Sequence, residues 1–245
     1  MDKKKCIAIV LSAGSGKRMN SDTKKQYLLI KDKPIIYYSL KTFQESSVID
    51  EIVLVTSPED MEFVKGEIVE QYGFTKVKSI TAGGKERYNS VYNGMKAAGK
   101  CDYIFIHDGA RPFITEDIIE RAYSVLLENG SAVVGMPVKD TIKIVDENCD
   151  VSATPNRRTV WQVQTPQCFK YDIAMMAYEN LIEEEETGAL AKRGIQVTDD
   201  AMVVETFLSD IKDIHVRLAE GSYENIKITT PEDLCIAEIF LSNIQ

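Results

Sequence analysis

Cys6–Leu11 (CIAIVL) is an unbroken apolar run, and the stretch after it, 12–27 (SAGSGKRMNSDTKKQY), is small, polar and strongly basic. A six-residue run without charge suits a strand covered on both faces, as in a parallel sheet. Open sheets of that kind bind ligands beyond the C-terminal ends of their strands. Gly14 and Gly16 let the backbone approach a ligand and present N–H groups to phosphate oxygens, while Lys17, Arg18, Lys24 and Lys25 add full positive charge. Two familiar phosphate loops are excluded. A Walker A loop would need glycine where Leu11 stands and Ser or Thr where Arg18 stands. The dinucleotide fingerprint would need Gly or Ala in place of Met19.

The alternation continues along the chain. Lys33-Pro34 opens an apolar-periodic helix over 35–43, with Pro34 in its first turn. Glu51–Thr56 (EIVLVT) is a second buried-type strand, and a helix starts at Ser57-Pro58-Glu59-Asp60 and runs to about residue 72. Strands are predicted at 77–80, 103–106 and 132–136, with helices at about 86–98 and 115–127, the latter capped by Thr115. Strands alternating with helices make a parallel α/β sheet with helices on both faces. The unusual polar segments, 12–18, 82–90 and 107–112, all follow strands, so they gather on one edge and line one pocket.

The stretch 138–160 breaks this pattern. Thr141 and Lys143 alternate with Ile142 and Ile144, and Asp146-Glu147-Asn148 makes a turn, which reads as a β-arm. A two-stranded hairpin is marginal alone, so a second subunit is the natural surface for it, with an ordinary surface excursion as the alternative. Beyond it, residues 171–185 read as a helix with a solvated acidic end at 183–186, and Thr198 caps another helix. Short strands are expected at 214–218 and 225–228, and Thr230-Pro231-Glu232-Asp233 starts a C-terminal helix.

A chain of 245 residues supports one sizeable core and is read as a single domain. Its net charge of −9 argues against general nucleic-acid binding, yet leaves room for a local basic pocket. No apolar stretch is long enough for a membrane span, and MDKKK leads into a strand without a signal-peptide core. Five scattered cysteines without a CxxC pair argue against a disulfide framework or zinc site; Cys6, Cys101, Cys168 and Cys235 read as small core residues. A cytoplasmic protein is the expectation.

No GxSxG elbow is present, and no cysteine has a plausible histidine partner. His215 falls within an expected strand; His107, at a strand end, reads as structural in preference to catalytic. The loops instead carry fixed positive charge in Arg18, Lys24, Lys25, Lys85, Arg87, Arg111, Arg157, Arg158 and Lys227. Asp108 is either a magnesium ligand or a cap. That inventory suits phosphoryl or nucleotidyl transfer, in which an enzyme chiefly positions groups and neutralises charge.

Several stretches in register carry a resemblance: SAGSGKRM (12–19), KKQY (24–27), GGKERYNSV (83–91), HDGARP (107–112), PVKDTIK (137–143), WQVQTPQ (161–167), TDDA (198–201) with Glu205, and NIKITTPEDL (225–234). Together they resemble the 2-C-methyl-D-erythritol 4-phosphate cytidylyltransferases. The resemblance implies a Rossmann-like nucleotidyltransferase fold, a mostly parallel sheet with helices on both faces and a protruding β-arm that joins a homodimer. It also implies transfer of the cytidylyl group from CTP to methylerythritol phosphate, a sugar-alcohol phosphate, with a divalent cation such as Mg2+. Its transition-state stabilisers map to Arg18 and Lys25. Its nucleotide contacts map to Ser12, Ala13, Gly14, Gly16, Gly84, Lys85, Ser90 and Gly109. Its acceptor contacts map to Asp108, Arg111, Thr141, Arg157 and Lys227, with Thr141 and Arg157 carried by the arm into the partner's site. The metal ligands stay unassigned.

Three departures stand out: Ser12 and Gly109 where Ala is usual, and Lys24 where Pro is usual. Lys24 is expected to loosen the loop and leaves two lysines competing for one role; Lys25 is chosen because it directly precedes Gln26-Tyr27. Arg157 is chosen over Arg158 by its distance from Trp161. The expected chemistry is a single in-line displacement without a protein nucleophile. Two alternatives are a ribitol 5-phosphate cytidylyltransferase and a non-catalytic nucleotide binder of the same fold.

Overall fold

A computed structural model of the chain describes residues 3–14, 24–209 and 214–243. Gly16 and Arg18 lie outside the described residues. In chain order the elements begin with β1 (Cys6–Leu11), the small hairpin β2 (Leu29–Ile30) and β3 (Lys33–Pro34), and α1 (Ile35–Glu45). Next come β4 (Glu51–Thr56), a 3-10 turn at Pro58–Asp60, α2 (Met61–Phe63) continued by a π-helical stretch Val64–Glu70, and β5 (Val77–Ala82). They are followed by α3 (Arg87–Ala98), β6 (Tyr103–Asp108), α4 (Glu116–Asn129) and β7 (Ser131–Pro137). The arm is β8 (Ile144–Val145) with β9 (Val151–Ala153). The chain then runs through β10 (Trp161–Lys170), α5 (Tyr171–Glu186), α6 (Ala189–Lys192), α7 (Asp200–Phe207), β11 (Leu218–Glu220) and α8 (Pro231–Asn243).

The main sheet has the order β11-β7-β10-β6-β1-β4-β5. Every neighbouring pair is parallel except those made by β10, which runs antiparallel to both β6 and β7. The period-two pleat divides each strand between two cores. Cys6, Ala8 and Val10 of β1 pack with Ile36, Leu40 and Phe43 of α1 and Ile118 and Leu126 of α4. Ile7 and Ile9 pack on the other face with Val91 and Met95 of α3 and Ala174, Tyr178 and Leu181 of α5. The expected mostly parallel sheet with helices on both faces is what the chain builds. Thr115 caps α4 as expected, accepting a hydrogen bond from the Ile118 amide, with Glu116 and Asp117 in the first turn.

Some expectations are corrected. The sequence pattern predicts no element over 161–170, yet β10 is a central strand. Pro166 argues against a central strand because it cannot donate to a ladder. Here the register shifts between Val163 and Gln167, and that irregularity absorbs the proline. The last strand is Leu218–Glu220 instead of 214–218, and 225–228 is irregular, with Ile228 N donating to Ala110 O. The cap of α7 is Asp199, whose carboxylate accepts from Met202 N, while the Thr198 hydroxyl contacts the Met202 sulfur. Cys235 is exposed, because the face of α8 at 235 and 239 is not covered by the core, and Cys101 is half-buried at the edge of the core on the α3 and α5 side. The arm forms where expected, with Ile144, Val145 and Val151 exposed along it.

Candidate active site

Parallel strands β5, β4, β1 and β6 end along one sheet edge, and the loops that follow β1, β5 and β6 close around one cavity of about 420 Å3. Ser12, Ala13 and Gly14 line it from the β1 loop, Gly84, Lys85 and Ser90 from the β5–α3 loop, and Asp108 and Ala110 from the β6 end. Three segments far apart in sequence therefore meet at the sheet edge, as their positions after strands implied. Lys25, Arg87 and Lys227 also line this cavity, so its walls hold Lys25, Lys85, Arg87 and Lys227 against the carboxylates Glu86 and Asp108. The surplus of positive charge suits a polyphosphate.

Close backbone packing shapes the cavity floor. At Gly84 a Cβ would fall 2.3 Å from Asn89 Cβ and 3.2 Å from the Asn89 carbonyl carbon, so only glycine fits unmoved. The Gly84 amide donates to Ser90 Oγ at 3.0 Å, and Ser90 Oγ in turn donates to Glu86 O. Ser12 is buried, its hydroxyl donating to Val55 O at 3.0 Å, and Gln26 Nε2 donates to Ser12 O. Gly109 stands behind the cavity, outside its lining, with its amide donating to Leu11 O; a Cβ there would come 2.9 Å from that oxygen.

The two neighbouring lysines have different surroundings. Lys24 Nζ reaches Glu59 Oε1 and Asp60 Oδ2, both at 2.7 Å, away from the cavity. Lys25 lines the cavity and its Nζ donates to Ile228 O at 3.2 Å. Lys24 is thus pinned, where the sequence suggested a looser loop.

A second cavity of about 350 Å3 adjoins the first and shares Arg87, Asp108 and Lys227 with it. Arg111, Gln164, Thr165, Thr198 and Asp199 complete its wall. Asp108 is the hub: Lys227 Nζ donates to its Oδ2 at 2.7 Å and Arg87 Nε to its Oδ1 at 3.3 Å. Burial alone would raise this carboxyl's pKa, but Arg87 and Lys227 overcome that and hold it far below the usual range. Arg111 Nη1 donates to Asn225 O at 2.8 Å, and its buried Nε has no hydrogen-bond partner among the described residues. That orphaned donor in the wall of a cavity suits an anionic ligand.

Sequence reasoning missed the layer behind this wall. In the sequence Arg87 reads only as one more loop cation. Its Nη1 and Nη2 pair with the two carboxylate oxygens of Asp200, which is fully buried and also accepts from Tyr178 Oη. Gln167 of β10 donates to Asp199 Oδ2 and accepts from Ala201 N, tying α7 to the sheet. Glu185, read as part of a solvated acidic end, accepts from Tyr88 Oη and Asn89 Nδ2 and braces the start of α3. A GGKER segment and a TDDA segment hint at polar partners, but nothing in either names the other.

His107 is fully buried. Its Nε2 contacts Arg111 O, which can only accept, so Nε2 carries the proton and Nδ1 accepts from Thr165 Oγ1. That oxygen accepts in turn from the Asp108 amide. Burial pushes the His107 pKa down to about 4, and the neutral imidazole serves as a strut beneath the Asp108–Arg111 loop.

Thr141 and Arg157 are exposed and line neither cavity, and Arg157 Nη1 donates to Lys139 O within the base of the arm. Arg158 is exposed beside it. Among the described residues no group of three or more His, Cys, Asp or Glu is arranged to hold a metal ion. The carboxylate shared by both cavities is already engaged by two cations, so the described residues do not fit a protein-held divalent cation.

Residues 6–243 match the sequence model of the 2-C-methyl-D-erythritol 4-phosphate cytidylyltransferase family. An Alkaliphilus oremlandii protein of that name is 47% identical over 238 residues, 97% of this chain and 95% of that protein. A crystal structure from Anaerococcus prevotii, described as 4-diphosphocytidyl-2C-methyl-D-erythritol synthase, superposes with TM-score 0.83 at 32% identity, covering 98% of this chain and 97% of that one. The Francisella tularensis 2-C-methyl-D-erythritol 4-phosphate cytidylyltransferase structure superposes with TM-score 0.75 at 27% identity, over 96% and 99% of the two chains.

Proposed function

The chain belongs to the 2-C-methyl-D-erythritol 4-phosphate cytidylyltransferase family, and from that premise we propose how its residues carry out cytidylyl transfer from CTP. The acceptor is 2-C-methyl-D-erythritol 4-phosphate, and the products are 4-diphosphocytidyl-2-C-methyl-D-erythritol and pyrophosphate, a step of non-mevalonate isoprenoid precursor synthesis. The relatives' names favour this acceptor over ribitol 5-phosphate.

The observation that carries the mechanism is the junction of the two cavities at Arg87, Asp108 and Lys227. The nucleotide occupies the larger cavity, with its phosphates among Gly14, Gly84, Lys85 and Lys25. The acceptor occupies the smaller one, its hydroxyls facing Asp108 and its phosphate near Arg111 and Lys227. An acceptor phosphate oxygen attacks the α-phosphorus, the bond from that phosphorus to the bridging oxygen breaks, and pyrophosphate leaves with the electron pair. The phosphate's second pKa is about 6, so a dianion is available near neutrality and no protein base is required. Lys25 and Arg18 meet the charge that builds on the five-coordinate phosphorus. Ser12, Ala13, Gly16 and Ser90 position the nucleotide; Gly109 supports the loop from behind. A divalent cation such as Mg2+ would come with the nucleotide and would supply charge neutralisation there, with few protein ligands needed.

The exposed positions of Thr141 and Arg157, with the apolar side chains along the arm, support a homodimer in which each arm serves the partner's acceptor cavity. No helix among the described residues is long and apolar enough to cross a membrane. Five free cysteines support a reducing compartment, the cytoplasm.

The test is pyrophosphate release with CTP and magnesium, comparing methylerythritol 4-phosphate with ribitol 5-phosphate. Release that needs methylerythritol phosphate supports the reading. Preference for ribitol phosphate would move the protein to the alternative acceptor, and no release with either would leave a nucleotide binder.

A further inference from the structure

We propose that Lys24 is a positioning residue: an ionic latch that anchors the end of the basic loop and aims Lys25 into the nucleotide cavity. This rests on the reading of Lys25 given above. The Lys24 ammonium donates to Ser57 Oγ at 2.5 Å, to Glu59 Oε1 at 2.7 Å and to Asp60 Oδ2 at 2.7 Å. An ammonium has three donors, so all of them are engaged and none is left for a phosphate. Ser57 Oγ also donates to Asp60 Oδ2, which closes a compact ring at the turn following β4.

The three residues after Lys24 each grip a different wall. Lys25 Nζ donates to Ile228 O, Gln26 Nε2 to Ser12 O, and the Tyr27 hydroxyl meets Thr56 Oγ1 at 2.8 Å. Residues 24–27 therefore tie the β1 loop, the end of β4 and the segment before α8 to one another. Lys24 is the outermost of these ties, next to the basic loop. Freed from Glu59 and Asp60, its backbone gains freedom, and the point from which Lys25 starts is no longer fixed.

The backbone of Lys24 has φ −59° and ψ 138°, an extended conformation that proline adopts readily. The restraint supplied here by ions is therefore replaceable by a ring. A latch of charges is weakened by salt, whereas a ring is not.

The experiment measures kcat at saturating CTP and acceptor for the wild-type protein, Lys24→Ala, Lys24→Pro and Lys25→Ala, from about 0.05 M to about 0.5 M NaCl. Thermal midpoints are recorded alongside. Lys24→Ala is expected to lower kcat roughly fivefold to tenfold, the scale of a lost partly buried charge cluster, with little change in the KM for CTP. Lys24→Pro is expected to recover kcat to within about twofold and to lose the salt dependence that separates it from wild type. The carboxylate variant Glu59→Gln/Asp60→Asn should reproduce the fall and add nothing to Lys24→Ala. Should Lys24→Pro lower the thermal midpoint, that non-additivity decides the matter. Wild-type kcat in Lys24→Ala with Lys25→Ala inactive would overturn the latch, as would additive losses with the carboxylate variant. A normal kcat in Lys25→Ala would instead overturn the reading on which the latch rests.

Discussion

Arg87 and Asp200 meet through two parallel hydrogen bonds, Nη1 to Oδ1 at 2.7 Å and Nη2 to Oδ2 at 2.8 Å. Asp200 has no exposed surface, and Tyr178 Oη donates to the same Oδ1. This pair stands behind the junction of the two cavities and orients the guanidinium whose Nε faces Asp108. Removing one partner of a buried pair leaves the other charged and unmatched. Because the Arg87 side chain retains 31% exposure, the cost falls at the low end of such losses. Asp200→Ala is expected to lower stability by about 2–3 kcal/mol, read from the urea midpoint. Tyr178→Phe should cost about 1 kcal/mol. An unchanged midpoint in Asp200→Ala would remove the pair from the stability of the site.

Lys25 offers the sharpest catalytic test. Lys25→Ala should reduce kcat by about 10²–10³ with a near-wild-type thermal midpoint, the usual consequence of losing a charged donor at the reacting centre. Single-turnover rates measure this without interference from product release. A rate within a few-fold of wild type would assign the charge stabilisation elsewhere.

Gly84→Ala should disturb the nucleotide and spare the acceptor. The new Cβ would collide with Asn89 Cβ and its backbone, which cannot swing away as a flexible side chain would. The loop must move, and the KM for CTP is expected to rise roughly tenfold while the KM for the acceptor holds. Equal effects on both would mean that the two cavities deform together.

An arm that crosses to a partner subunit, as proposed above, predicts complementation. Mixing Lys25→Ala and Arg157→Ala chains, each nearly inactive, should restore about a quarter of wild-type activity after subunit exchange. In the mixed dimer one site then holds both intact residues. No recovery despite proven exchange would place each arm over its own subunit's cavity.

Stability should fall on mild acidification because His107 is buried neutral. Its folded pKa, about 4, lies below the usual 6.5, so the unfolded chain binds the proton first. No penalty exists above about pH 6.5; it grows as pH falls and reaches about 2 kcal/mol at pH 5. The contribution of Asp108, whose pKa is depressed, is lost only at lower pH, below the usual carboxylate range. Urea midpoints at pH 7 and pH 5 test this, and His107→Gln should flatten the difference. An equal slope in that variant would assign the acid sensitivity to other groups.

Periodicity and punctuation alone determined much of this protein. Runs such as Cys6–Leu11 and Glu51–Thr56 declare strands buried on both faces, and the residues after them declare loops at a common edge. That is why Ser12, Gly84, Lys85, Ser90 and Asp108 are legible as neighbours in the sequence: strand direction fixes where each loop must emerge. The motifs in register carried the family. Local signals also found the Thr115 cap and the turn of the arm.

Only the tertiary structure decided which charges meet. Lys24 and Lys25 are identical in composition and adjacent in sequence, yet one ends on Glu59 and Asp60 and the other faces the cavity. Arg87 finds Asp200 across 113 positions, and Lys227 finds Asp108 across 119. Strand β10 is hard to read locally, since Pro166 argues against a central strand and a rule about ladder donors cannot foresee an irregularity that a whole sheet accommodates. Hydrophobic patterning is periodic and therefore written locally. Ion pairing depends on distances between elements, and these exist only after the sheet and its two helical layers have packed.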